Sequence, residues 1–209
     1  MTFERAMVIL FTKVAQTVIA ERFTHTFFDN DGNRVRKVFA YLFSVFIAIF
    51  VNLFFHKPIF NFLSIFLGLS AIALSYNGTI KRKCIFVFYI LAVSCLIDLV
   101  VSAFLIKPFG YDGYSAFVSI FALLLLHATQ LITERFFEND LGIELNNRYW
   151  LFIIASLLVC IITSIVIFMD KTVSSFSLSL VCGAFLLVNI IISYLMDDLV
   201  KSSQKALEN

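Results

Sequence analysis

The chain is written as a succession of apolar runs, each about as long as a membrane crossing, and the basic residues gather in the short segments between them. Seven runs can be marked, at residues 5–22, 38–55, 59–76, 84–106, 114–132, 150–169 and 176–196. At 1.5 Å per residue, helices of this length reach about 27–35 Å, enough for a ~30 Å hydrocarbon core. The runs are apolar on every side rather than alternating, which excludes the short alternating strands of a membrane β-barrel. A helix also satisfies its own backbone in lipid, where an open sheet edge cannot. Composition agrees: 61% of residues are hydrophobic and 14% charged, against about 45–50% and about 25% in soluble domains. The pattern predicts an all-α, polytopic transmembrane bundle of six to seven helices. Residues 1–196 form the bundle, and residues 197–209 begin a cytoplasmic helix.

The count stays at six to seven because the first run is interrupted by Lys13, Gln16 and Glu21. If the N-terminus is outside and the helices alternate, eleven Lys and Arg residues fall on inner segments and four on outer ones. Basic residues in short loops are retained in the cytoplasm, so the C-terminus is expected inside. Pro58 and Pro108 each follow a lysine in a short outer loop, where they are expected to stop helices. The four cysteines (Cys84, Cys95, Cys160 and Cys182) lie in apolar runs without a CxxC pair, and read as packing residues.

Catalytic signatures do not occur. The chain has no P-loop, glycine-rich nucleotide fingerprint, HExxH or GxSxG. His25, His56 and His127 fall in different segments, none at metal-ligand spacing with a cysteine or carboxylate. A membrane peptidase needs its nucleophile and base at one depth, and Cys84 has no histidine near it. Neither enzymatic activity, nor a metal, nor a cofactor is expected, and a net charge of +2 does not suggest a nucleic-acid partner.

The polar residues inside the runs are the remaining clues. Lys13 and Asp98 are ionisable groups at depth, each costing at least about 2.5–3.5 kcal/mol there unless paired or hydrated. They could form an ion pair; the plainer reading has Lys13 snorkelling and Asp98 bonding a neighbouring helix. His127 and Gln130, three apart, could line a polar seam or, like Asn52, Asn61 and Asn189, hold helices together. On the outer side, the loop from Lys107 to Tyr114 gathers Phe109, Tyr111, Asp112 and Tyr114 around two glycines. Such a mixture suits a peptide or amphipathic ligand, and suits equally an interfacial aromatic belt.

Three stretches resemble one family. SYNGTIKRKCIFVFYILAVSCLIDLVV (75–101) looks like its basic inner loop followed by a helix with a late Asp-Leu pair. LGIELNNRYWLFII (141–154) is similar to the inner linker before its penultimate helix, and LVNIIISYLMDDLVKSSQKALEN (187–209) to its last helix running into a signalling helix. The family is the membrane sensor domain of GHKL-type histidine kinases, the accessory-gene-regulator kind that receive secreted peptide pheromones. The resemblance implies a bacterial cytoplasmic-membrane receptor that binds an extracellular peptide, dimerises through its C-terminal helix and controls a kinase core. The phosphoacceptor histidine and nucleotide-binding boxes do not occur in these 209 residues, so this chain is not expected to phosphorylate anything. Outward position and chemistry make Lys57, Lys107, Phe109, Tyr111, Asp112, Tyr114, Asp170 and Lys171 the expected ligand contacts. A small secondary transporter or vitamin-uptake protein is the second reading, on helix number alone; the internal repeat common in transporters is missing.

A reporter fused after Asn209 is expected to be active only in the cytoplasm. Labelling of a tag there by a non-permeating reagent on intact cells would overturn the orientation.

Overall fold

The computed structural model describes residues 3–28, 33–55, 58–111 and 115–137, together with Leu157, Leu158 and Ile161. The runs expected beyond residue 137, the C-terminal helix, and Lys57, Asp112, Tyr114, Asp170, Lys171 and Asn189 otherwise lie outside the described residues. Leu157 and Ile161 are helical and join the buried core.

The regular structure among the described residues is all helical, without strands. The helices are α1 (Phe3–Phe27), α2 (Arg34–Phe54), α3 (Pro58–Ser75), α4 (Ile80–Val101), the short α5 (Lys107–Phe109) and α6 (Ala116–Phe137), with a π turn at Ser102–Ile106 between α4 and α5. By length and composition, three segments are long and apolar enough to cross a membrane: Arg34–Asn52, Ile80–Ile106 and Ala116–Arg135. The third run gives the shorter apolar helix Ile59–Ser75. The 25 residues of α1 exceed the required length, but the polar residues that interrupt its run keep it below the hydropathy of a span.

Helices α2 and α4 begin before their apolar runs do. Asn33 accepts a hydrogen bond from the Val35 amide (3.0 Å) and Thr79 from the Arg82 amide (3.4 Å). These side-chain caps satisfy amides that the first turn leaves open, so the basic turns Arg34–Lys37 and Lys81–Lys83 are already helical. The prolines act differently from the expectation. Pro58 starts α3, where a missing N–H costs nothing. Pro108 sits inside helical backbone, and the stop is Gly110 in the left-handed region (φ 66°), a conformation glycine adopts without steric cost. The π turn preceding Pro108 adds a residue to the helical ladder, a known way of absorbing a local misfit.

In space α1 packs on α2 and α6, α2 on α3, α3 on α4, and α4 on α6, which closes the five long helices into a ring. The ring is apolar outside and partly polar inside. Phe39, Phe46 and Phe54 on α2 are 68, 68 and 67% exposed, while Lys13, Thr24, Ser64, Gln130 and Thr133 are buried. So much exposed aromatic surface is unusual for a protein facing water, and natural for one facing lipid. One end of the bundle, where the basic turns start, is filled by Phe27, Phe28, Tyr76 and Phe86 with ring centroids 5.2–5.7 Å apart. Cys84 and Cys95 are free and half-buried; Cys160 and Cys182 lie outside the described residues.

Helices α2 and α3 come close at Gly68, where an added Cβ would fall onto the Ser44 side chain and 3.3 Å from its Cα. Small residues at such crossings let backbones come together in lipid. Gly68→Ala is expected to destabilise the bundle by about 1–3 kcal/mol through overpacking, with partial rescue by Ser44→Gly. Equilibrium unfolding in mixed micelles measures both.

Candidate functional site

Two places concentrate chemistry: a polar network in the middle of the ring and an aromatic mouth at the end of α4.

The network starts at Lys13, whose side chain the ring encloses. Its ammonium donates to Gln16 Oε1 one turn on (3.1 Å) and, more loosely, to Asn61 Oδ1 on α3 (3.5 Å). Asn61 Oδ1 also accepts from Asn52 Nδ2 on α2 at 2.9 Å, and Asn52 donates to the Ala48 carbonyl at 2.8 Å. One carbonyl oxygen therefore joins three helices. Among the described residues no ion pair links Lys13 to Asp98: the ammonium bonds two carboxamides instead, and Asp98 acts on it only through its field. Asp98 lies on an exposed face of α4, four residues before the π turn, where its carbonyl accepts from the Ser102 amide.

Beside Lys13 lies a cavity of about 60 Å³, lined from α1 by Gln16 and Thr17, from α2 by Ser44, from α3 by Ser64, from α4 by Ser94 and from α6 by Leu126. Every long described helix thus contributes to its wall. Thr17 and Ser64 donate to the Lys13 and Asn61 carbonyls (2.8 and 2.7 Å), so their protons are engaged.

Gln130 is fully buried and donates to Glu134 Oε2 on its own helix at 2.6 Å, while its Oε1 has no partner among the described residues. His127, half-buried, stands one turn before it. The bond that ties α6 to α4 is made instead by Tyr89 and Thr133, at 2.8 Å. Toward the basic end, the hydroxyls of Thr24, Tyr41 and Tyr76 lie 3.0–3.2 Å from one another and join α1, α2 and the end of α3. The Lys37 ammonium sits 4.2 Å from the centre of the Tyr76 ring, a cation–π contact. Sequence reasoning found Lys13, Asn52, Asn61 and Gln130 because polar residues in apolar runs stand out. It missed Thr24, Tyr41, Tyr76, Tyr89 and Thr133, since hydroxyls at these separations carry no pattern.

At the mouth, Phe109 is 71% exposed and Tyr111 44% exposed. Their ring centroids lie 6.2 Å apart, and Tyr111 lies 5.5 Å from Phe117 at the start of α6. The left-handed Gly110 makes the turn that brings these rings together. Lys107, in α5, is on the same short segment. Of the expected ligand contacts, Lys107, Phe109 and Tyr111 therefore sit at one end of the bundle.

Asn61→Ala is expected to cost about 1–3 kcal/mol, because it removes an acceptor from a buried ammonium and from Asn52 at once. Asn52→Ala, which leaves the Lys13 contact intact, should cost less, and Asn61→Ala should cost less again in a Lys13→Met background. Unfolding of the four variants in micelles checks the order. No protein-family model matches this chain, and neither a curated protein nor a solved structure shows significant similarity to it.

Proposed function

We propose that the chain is the membrane input domain of a receptor, taking an extracellular peptide at its aromatic mouth and passing the signal through its helices to the cytoplasm. The observation that carries this reading is the exposed cluster of Phe109, Tyr111 and Phe117 around Gly110, directly continuous with α4. Aromatic side chains offer large contact area at low entropic cost, which is what a peptide-binding surface needs. The excess of basic residues at the other end supports an outward-facing mouth.

A ligand moves an equilibrium only by binding one arrangement better than another. In this reading the π turn between α4 and the mouth is the adjustable element, because π turns insert a residue without breaking the helix. Helix α4 has the largest buried share of the three apolar spans and packs on α3 and α6, so a shift at its mouth end reaches the whole ring. The resemblance to sensor domains of GHKL-type histidine kinases supports multi-pass insertion in a bacterial cytoplasmic membrane. It also supports a homodimer through the C-terminal helix and a kinase partner downstream, with no catalysis by this chain. The remaining expected contacts, Lys57, Asp112, Tyr114, Asp170 and Lys171, belong to this proposal by position alone.

The second reading is a small secondary transporter, and the cavity beside Lys13 is what favours it, since transport substrates bind near the bilayer midplane. Equilibrium binding of secreted peptides, fractionated from culture supernatant, separates the two. Phe109→Ala and Tyr111→Ala are each expected to weaken binding by about 1–2 kcal/mol, roughly five- to thirtyfold. Unchanged binding in both variants would reduce the mouth to an interfacial anchor, and peptide-independent solute uptake by proteoliposomes would favour transport.

A further inference from the structure

The cavity at the centre of the ring has a sign. Lys13 brings an ammonium with three donors, of which one contact is close (3.1 Å) and one long (3.5 Å). Gln16 turns its Oε1 toward that ammonium, so its amide nitrogen is left as a donor with no protein partner among the described residues. The hydroxyls of Ser44 and Ser94 line the same space, and neither bonds a protein group among the described residues. The strong acceptors are already used: Gln16 Oε1 by Lys13, and Asn61 Oδ1 by Lys13 and Asn52 together. Among the described residues no carboxylate lines the cavity, and Asp98, the acidic group whose field reaches Lys13, is exposed on α4 outside it.

A buried cation among unused donors is unfavourable alone, and the missing component is a negative charge that accepts hydrogen bonds. We propose that this cavity is a binding site for a small monovalent anion, a halide or a carboxylate, held by the Lys13 ammonium, the Gln16 amide and the Ser44 and Ser94 hydroxyls. About 60 Å³ is room for a few waters or one such ion. The anion bridges α1, α2 and α4 from the inside, where α1 is too polar to be held by lipid alone. Occupancy thereby sets how firmly α1 is seated in the ring. The inference stands apart from peptide binding at the mouth.

The test is equilibrium binding of radiolabelled chloride to the full chain in neutral-lipid nanodiscs, with a bulky organic sulfonate holding ionic strength constant and acetate as competitor. One saturable site per chain is expected. Acetate competes for it if the pocket accepts carboxylates; failure of acetate alone narrows the ligand to halides. Lys13→Gln should weaken binding about tenfold or more, the scale of one charge-assisted hydrogen bond. Ser94→Ala, a small change at the wall that preserves the fold, should weaken it several-fold, and Arg135→Gln, an exposed charge on α6, should leave it unchanged. Absence of saturable chloride or acetate binding in the wild-type chain overturns the proposal, as does full affinity in either cavity variant.

Discussion

The arrangement depends on one oxygen atom. Asn61 Oδ1 accepts from Lys13 on α1 and from Asn52 on α2 while belonging to α3. In a hydrocarbon solvent, apolar side chains gain little by leaving lipid for protein, so helices are held by close packing and by polar bonds between them. Each such bond contributes only about 0.6 kcal/mol on average, with a maximum near 1.7. Their effect lies in specificity: a carboxamide buried at mid-helix has few geometries that satisfy it, and those fix the rotation of α1 against α3. Fixing α1 fixes the rest, since α1 touches α2 on one side and α6 on the other. The Thr24–Tyr41–Tyr76 hydroxyls repeat the device at the basic end, and Tyr89–Thr133 repeats it between α4 and α6.

This construction explains why polar side chains lie inside a chain so rich in phenylalanine. Phenylalanines on the outer face of α2 meet lipid, and serines and carboxamides meet one another in the ring. The same inversion leaves an interior with a net donor character around Lys13, while the mouth keeps its aromatic rings outside the packed core. The two sites therefore differ in kind. One is small, lined by all five long described helices and positive; the other is exposed, aromatic and set on a turn that a glycine permits.

Much of the bundle was legible from the chain alone. Runs of eighteen or more apolar residues leave few alternatives to helices, and the described helices α1 to α4 and α6 overlap the first five runs. The boundaries were less legible at the basic ends, because Asn33 and Thr79 cap helices that start a turn before hydrophobicity does. Proline at position 108 read as a stop, yet the π turn before it lets the helix continue to Gly110. A pattern of apolarity reports where lipid begins and carries no record of how a backbone ladder accommodates a proline.

Sequence by itself determined the solvent, the helical class and which residues would be costly at depth: a ~30 Å apolar layer and a self-satisfied backbone admit one kind of structure. The identity of the partner of each buried polar group was decided only by the tertiary structure. The sequence allowed Lys13 an ion pair with Asp98, and the packing of α1 turned it to the Asn61 carboxamide instead. Ser44 and Ser94 are fifty residues apart in the chain, and share a cavity because α2 and α4 belong to one closed ring. Hydrophobic periodicity acts along a single helix, whereas the direction in which a hydrogen bond is satisfied depends on which neighbour the ring brings alongside.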